Sequence, residues 1–183
     1  FGDLGVLFIL IVILVYIVMA TQFESLKFPF IIMFTIPFAF TGVFLALWMT
    51  STPLSLIALI GAIMLVGIVT KNGIVMVDYM NLLIERGSGV FDAVIAGGKS
   101  RLRPVLMTSF TTILGMLPLA IGTGAGSETW QPMGIAVIGG LTFSTILTLF
   151  IVPVLYSILV NRSQRKEREK LARLSAEHQA SKH

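Results

Sequence analysis

Five long, predominantly apolar stretches, at about residues 5–20, 29–49, 54–83, 102–121 and 130–160, decide what this sequence can fold into. Crossing a hydrocarbon core about 30 Å thick takes roughly 20 apolar residues in a helix, and each stretch is at or near that length. The runs are continuous and do not alternate with period two, which argues against a closed β-barrel. A helix satisfies every backbone N–H and C=O within the segment, as hydrocarbon demands. The expected fold class is therefore all-α integral membrane with five transmembrane helices, of which the third and fifth are long enough to tilt or project from the bilayer.

Charge supports the same reading. Only 12% of the 183 residues are charged, about half the roughly 25% of soluble domains. The net charge of +4 does not point to nucleic acid, because seven of the thirteen Lys and Arg residues fall in a basic tail at 161–183, where they read as a cytoplasmic extension able to graze anionic lipid. Cysteine is absent, which excludes disulfides, thiolate metal sites and cysteine nucleophiles. Nothing in the pattern implies a cofactor, a metal or an enzyme. The first apolar run lacks a basic leader and a small-residue cleavage site, so it reads as a membrane span and not a signal peptide, with further sequence expected upstream.

Topology follows from the loops. Those at 21–28 and 84–101, together with the tail, lie on one side of alternate crossings. They hold Lys27, Arg86, Lys99, Arg101 and the tail cations, with Arg103 just inside the fourth span, whereas the loops at 50–53 and 122–129 hold no Lys or Arg. The positive-inside rule puts the N-terminus outside and the tail in the cytoplasm. Trp48 and Trp130 mark outer span ends, and Tyr79 and Tyr156 fit an inner aromatic belt. Within the loop before the fourth span, Val90, Phe91, Val94 and Ile95 suggest a short interfacial helix at about 89–97, closed by Gly97–Gly98. Pro29, Pro53, Pro104 and Pro132 sit at or near span starts, where the missing N–H costs little. Pro37, Pro118 and Pro153 fall inside spans and are expected to kink them.

One cation stands apart. Lys71 is embedded in apolar sequence about 18 Å from the inner end of the third span, counting 1.5 Å per residue back from Leu83, which is too deep for easy snorkelling. A lysine there costs about 2.5–3.5 kcal/mol unless partnered, which marks it as a functional candidate. A structural ion pair with Asp78 is the alternative. Seven residues place Asp78 on nearly the same face but roughly 10 Å along the axis, beyond i,i+4 reach; Asp78 itself reads as an interfacial carboxylate.

On the fourth span, Thr108, Ser109, Thr111 and Thr112 form a hydroxyl cluster at a depth comparable with Lys71. Each could simply bond the carbonyl four residues back. Ala136, Gly140 and Ser144 recur every four residues on the fifth span and suit close helix packing. The glycine-rich run at 122–127 lacks the lysine and strand-to-helix context of a phosphate-binding loop.

Several runs, taken in order and spacing, carry a family resemblance: Phe23-Glu-Ser-Leu, Val69-Thr-Lys-Asn-Gly-Ile, Arg101-Leu-Arg-Pro-Val-Leu-Met-Thr-Ser, Gly122-Thr-Gly-Ala-Gly-Ser and Val152-Pro-Val-Leu-Tyr. Together they resemble the resistance-nodulation-division (RND) efflux pumps, in particular the hydrophobe/amphiphile exporter branch. The resemblance covers about residues 5–160 and matches helices eight to twelve of a twelve-helix transporter. It implies a homotrimer in the bacterial inner membrane, joined to a periplasmic adaptor and an outer-membrane channel and driven by the proton motive force as a drug/proton antiporter.

By resemblance, Lys71 pairs with two aspartates on a helix of the N-terminal half, Thr108 lines the same proton relay, and Arg101 stands at its cytoplasmic end. Asn72, Asp78 and Thr112 are possible secondary members. The N-terminal half and the lipid bilayer are thus the implied partners, and this chain alone should not transport. A proton-driven protein-export accessory of related membrane fold and a heavy-metal RND exporter are the alternatives.

Overall fold

The computed structural model describes residues 2–180; residues 181–183 of the expected tail, Lys182 among them, lie outside the described residues. Six helices follow one another: α1 (Gly2–Phe23), α2 (Lys27–Met33), α3 (Ile36–Met49), α4 (Leu56–Glu85), α5 (Val90–Ile121) and α6 (Ser127–Ala180). Taking α2 and α3 as one crossing, five segments are long and apolar enough to span a membrane. The described chain is an all-helical, multi-pass bundle with α6 at its hub, packed against α3, α4 and α5.

The break between α2 and α3 has a local cause. Pro37 has no N–H to offer the Met33 carbonyl one turn earlier. The chain tightens instead, with the Thr35 amide bonding the Ile32 carbonyl at 3.1 Å and the Thr35 hydroxyl donating to the same oxygen at 2.6 Å. The kink expected at Pro37 is thus a break at Phe34–Thr35. Pro118 and Pro153 lie within continuous helices. So do Pro104 and Pro132, which corrects their expected placement at helix starts. Pro104 became interior because α5 begins at Val90 and carries on through the expected interfacial segment.

That segment is therefore not separate. Gly97 and Gly98 do not end a helix; Gly97 is buried, and a Cβ there would stand 2.6 Å from Met80 Cγ on α4. The missing side chain lets α4 and α5 approach, and that packing carries the helix past two residues that would otherwise weaken it. A helix of 32 residues is about 48 Å long, so its charged first turns extend beyond the hydrocarbon.

Two apolar cores hold the bundle. One joins α3, α4 and α6 through Ala39, Val43, Leu47, Ala62, Leu65 and Leu141. The other joins α1, α2, α4 and α6 through Met19, Ile31, Ile32, Met76, Met80 and Tyr156. Helix α1 is peripheral, with Met19 its buried residue. Small residues set the spacing of α6 against α3 and α4: a Cβ on Gly139 would lie 2.1 Å from Ala46 Cβ on α3, and one on Gly140 would lie 2.1 Å from Leu65 Cδ2 on α4. Ala136, Gly140 and Ser144 are all buried along this seam.

Tyr156 is a correction. Its side chain does not face an interfacial belt but is 0% exposed, stacked on Phe28 with ring centroids 5.6 Å apart, and its hydroxyl donates to Asn81 Oδ1 on α4. Trp48 and Trp130 do point outward. Beyond the last apolar turn α6 continues as an exposed helix through the basic segment, where Arg165 Nε donates to Glu169 Oε1 at 3.0 Å.

Candidate functional site

Helix α4 starts cleanly, with the Ser55 hydroxyl capping it by accepting from the Ala58 amide at 3.2 Å. One face of the helix is buried in the bundle through Ala58, Ala62, Leu65, Val69, Met76 and Met80. The opposite face is open. Leu56, Ile60, Met64, Gly67, Lys71, Asp78, Leu82 and Glu85 are all exposed, spaced three, four or seven apart, and so form one stripe along the helix. Lys71 lies at its middle.

Among the described residues neither Lys71 nor Asp78 makes an ion pair or a side-chain hydrogen bond; the ion pair found is Arg165–Glu169. The structural Lys71–Asp78 pair is not formed, as the seven-residue separation predicts. Asn72 is turned away from this stripe and lies 8% exposed among the helices. Neighbouring Thr70 is buried with its hydroxyl unpartnered.

Helix α5 packs beside α4 and carries a hydroxyl cluster of its own. Thr108 is exposed, and its Oγ1 donates to the carbonyls of Pro104 (3.1 Å) and Val105 (3.0 Å). The Pro104 carbonyl lies one turn back. Thr111 and Thr112 likewise return to Met107 (2.8 Å) and Thr108 (2.9 Å). Local bonding uses each hydroxyl proton and leaves each oxygen able to accept. Ser109 differs. It is buried and exchanges a 2.9 Å hydrogen bond with Thr145, tying α5 to α6.

Arg101 lies half-buried at the charged end of α5, its guanidinium carbon 4.7 Å from the centre of the Tyr79 ring. Its Nε is buried without a hydrogen-bond partner among the described residues. Such a stack is worth about 0.5–2 kcal/mol and fixes where the guanidinium sits. Tyr79 was legible in the sequence only as a belt aromatic; nothing in its spacing revealed that it would carry an arginine from the next helix.

The structure thus gathers Lys71 and Asp78 on one open stripe, with Thr108 exposed on the adjacent helix. No hydrogen bond or ion pair among the described residues joins Lys71, Thr108 and Arg101. The open stripe of α4 carries the Lys71 cation together with the Asp78 and Glu85 carboxylates, and among the described residues none of the three is paired with another.

Comparison with known proteins bears directly on this arrangement. The chain is 43% identical over 155 residues to multidrug resistance protein MdtC of Erwinia tasmaniensis, a match covering 84% of the chain and 15% of the relative. It is 41% identical over 154 residues to cobalt-zinc-cadmium resistance protein CzcA of Cupriavidus metallidurans, covering 84% of the chain and 14% of the relative. MdtC of Pantoea ananatis is 44% identical over 156 residues, again with 15% of its length covered. The chain therefore spans about one-seventh of the length of these relatives. Residues 2–160, from α1 to the last apolar turn of α6, match the AcrB/AcrD/AcrF family, and the chain belongs to that family of RND transporters.

Proposed function

We propose that this chain is the C-terminal membrane portion of a proton-motive-force-driven RND exporter, in which Lys71 supplies the cation of the coupling site. The observation carrying this reading is the position of Lys71: mid-helix, exposed on a stripe that the bundle leaves open, and without an acidic partner among the described residues. An unpaired ammonium at that depth costs several kcal/mol. Carboxylates on a helix outside this chain complete the site, and their protonation releases Lys71 while their ionisation recaptures it. An ion crossing the membrane potential supplies about 2.3 kcal/mol per 100 mV, enough to bias two helix arrangements that differ by a few kcal/mol.

Thr108 lends its oxygen to water in the relay, and Arg101, held by Tyr79, stands at the inner end. Asp78 shares the stripe, whereas Asn72 and Thr112 contribute through packing and local bonding. The same proposal places the protein in the bacterial inner membrane with its N-terminus periplasmic, as a trimer assembled with an adaptor and an outer-membrane channel.

The cargo is proposed to be hydrophobic or amphiphilic compounds, following the resemblance to MdtC, a multidrug resistance protein by name. Export of divalent metal ions is the second reading, supported by comparable identity to CzcA. The protein-export accessory is not the family matched.

Lys71→Met in the full-length transporter tests the coupling role. Methionine keeps the length and removes the charge, so the partner carboxylates lose their cation and protonate more readily. Export against a proton gradient should fall to background at matched protein levels with assembly intact. Wild-type export by this variant would remove the proposal. Running the assay with a lipophilic dye and with zinc separates the two cargo readings.

A further inference from the structure

At the end of the bundle where α2 begins and α6 leaves its apolar stretch, Lys27, Leu159, Arg162, Ser163, Arg165, Lys166 and Glu169 enclose a recess of about 590 Å³. Two elements 136 positions apart build it, joined by the Lys27 ammonium donating to Ser163 Oγ at 2.9 Å. Of its four cations, Arg165 is occupied by Glu169 at 3.0 Å. Lys27, Arg162 and Lys166 have no acidic side chain within ion-pair distance among the described residues. Three unneutralised cations converging on one recess call for an anion with several acceptor oxygens.

The surroundings say which kind. On α6, Val154, Ile158, Arg162 and Lys166 follow at four-residue spacing, so an exposed apolar row runs directly into the cationic one. Val154 and Ile158 are exposed, as are Leu26 and Phe30, which stand on either side of Lys27 in the chain. Leu159 lines the recess itself. Lys27 opens one membrane-crossing segment and Arg162 follows the apolar part of another, so the recess lies at headgroup level with hydrocarbon-facing surface beneath it. A free inorganic anion would have no use for that surface; a phosphodiester carrying acyl chains fits both parts.

We infer that this recess is a binding site for the phosphate head group of an anionic glycerophospholipid, with Lys27, Arg162 and Lys166 contacting the phosphate and Val154 and Ile158 lying along an acyl chain. The site is separate from Lys71 and stands whether or not the coupling proposal does.

The test uses the full-length transporter in neutral detergent, with phosphatidylglycerol and phosphatidylcholine added at equal concentration and retained lipid measured by native mass spectrometry. Phosphatidylglycerol should be preferred roughly tenfold or more, with the preference falling as ionic strength rises. Combined Lys27→Gln, Arg162→Gln and Lys166→Gln should abolish the preference. Combined Arg168→Gln, Lys170→Gln and Arg173→Gln, which removes the same charge farther along α6, should leave it intact. Glu169→Gln frees Arg165 and should strengthen retention. Equal loss in both triple variants would reduce the site to diffuse attraction. No preference between the lipids, or displacement of phosphatidylglycerol by millimolar inorganic phosphate, would overturn it.

Discussion

Replacing Gly139 with alanine probes how tightly the hub helix must sit against α3. The added Cβ would stand 2.1 Å from Ala46 Cβ and 3.0 Å from the Gly42 carbonyl oxygen. Carbon atoms pack at about 3.5–4.0 Å, so the shortfall is roughly 1.5 Å or more. Ala46 Cβ is fixed to its backbone and cannot rotate away; the two helices must separate along a seam where Gly42, Gly139 and Gly140 bring backbones together. Overpacking of this kind costs about 1–3 kcal/mol, and the upper half of that range applies because no flexible side chain can yield. Alanine recovers about 0.5–1 kcal/mol of helix propensity, leaving a net loss of about 1–2.5 kcal/mol.

Gly67→Ala is the matched comparison. Gly67 is exposed on α4 and a Cβ there meets nothing within 4 Å, so only the propensity gain remains. Unfolding of the detergent-solubilised protein, followed by helical circular dichroism on heating, should order the three as Gly67→Ala, wild type, Gly139→Ala. With about 2–4 °C per kcal/mol for a unit of this size, the two variants should differ by roughly 4 °C or more. Equal midpoints would show that α3 and α6 do not depend on this contact, and the account of the bundle's central seam would fail.

Other outcomes follow from the same geometry. Thr108→Ala should reduce export less than Lys71→Met, because its proton is already committed to its own helix and water can replace the oxygen; a defect as deep as that of Lys71→Met in the same assay would contradict this. Tyr156→Phe, which leaves half-buried Asn81 able to find water, should cost about 0.5–1.5 kcal/mol of stability, whereas Asn81→Ala strands a buried phenol and should cost about 1–3 kcal/mol; the reverse order in denaturant unfolding would refute the assigned hydrogen bond. A periplasm-dependent phosphatase fused after residue 183 should be inactive, from the distribution of Lys and Arg, and an active fusion would invert the proposed topology.

The crossings were readable because length and continuity of apolar residues are set by the membrane alone, whatever the helices later pack against. What escaped depended on neighbours. Gly97–Gly98 carries the chemistry of a helix stop, yet Met80 fills the space beside Gly97 and the helix runs on. Tyr156 has the position of a belt residue, but Phe28 and Asn81 on other helices draw it inside. Of the site, Lys71 was legible because charge in apolar sequence needs no partner to be conspicuous. The hydroxyls of Thr108, Thr111 and Thr112 all bond locally, while Ser109, the one that reaches another helix, is chemically indistinguishable from them in sequence.

The open stripe of α4 also bears on how the chain enters the bilayer. Lys71 at mid-helix opposes insertion by about 2.5–3.5 kcal/mol, while each central Leu, Ile or Val favours it by about 0.3–0.6 kcal/mol. Helix α4 carries fifteen such residues, roughly ten of them near its middle, which together favour insertion by about 3–6 kcal/mol. The helix can therefore integrate before any carboxylate is available to meet its lysine. Because both apolar cores avoid the stripe, the bundle can also close around α6 first. On the proposed coupling role, the ammonium would remain uncompensated until the partner carboxylates arrive, and the energy then relieved would be a driving force for joining this bundle to the rest of the transporter.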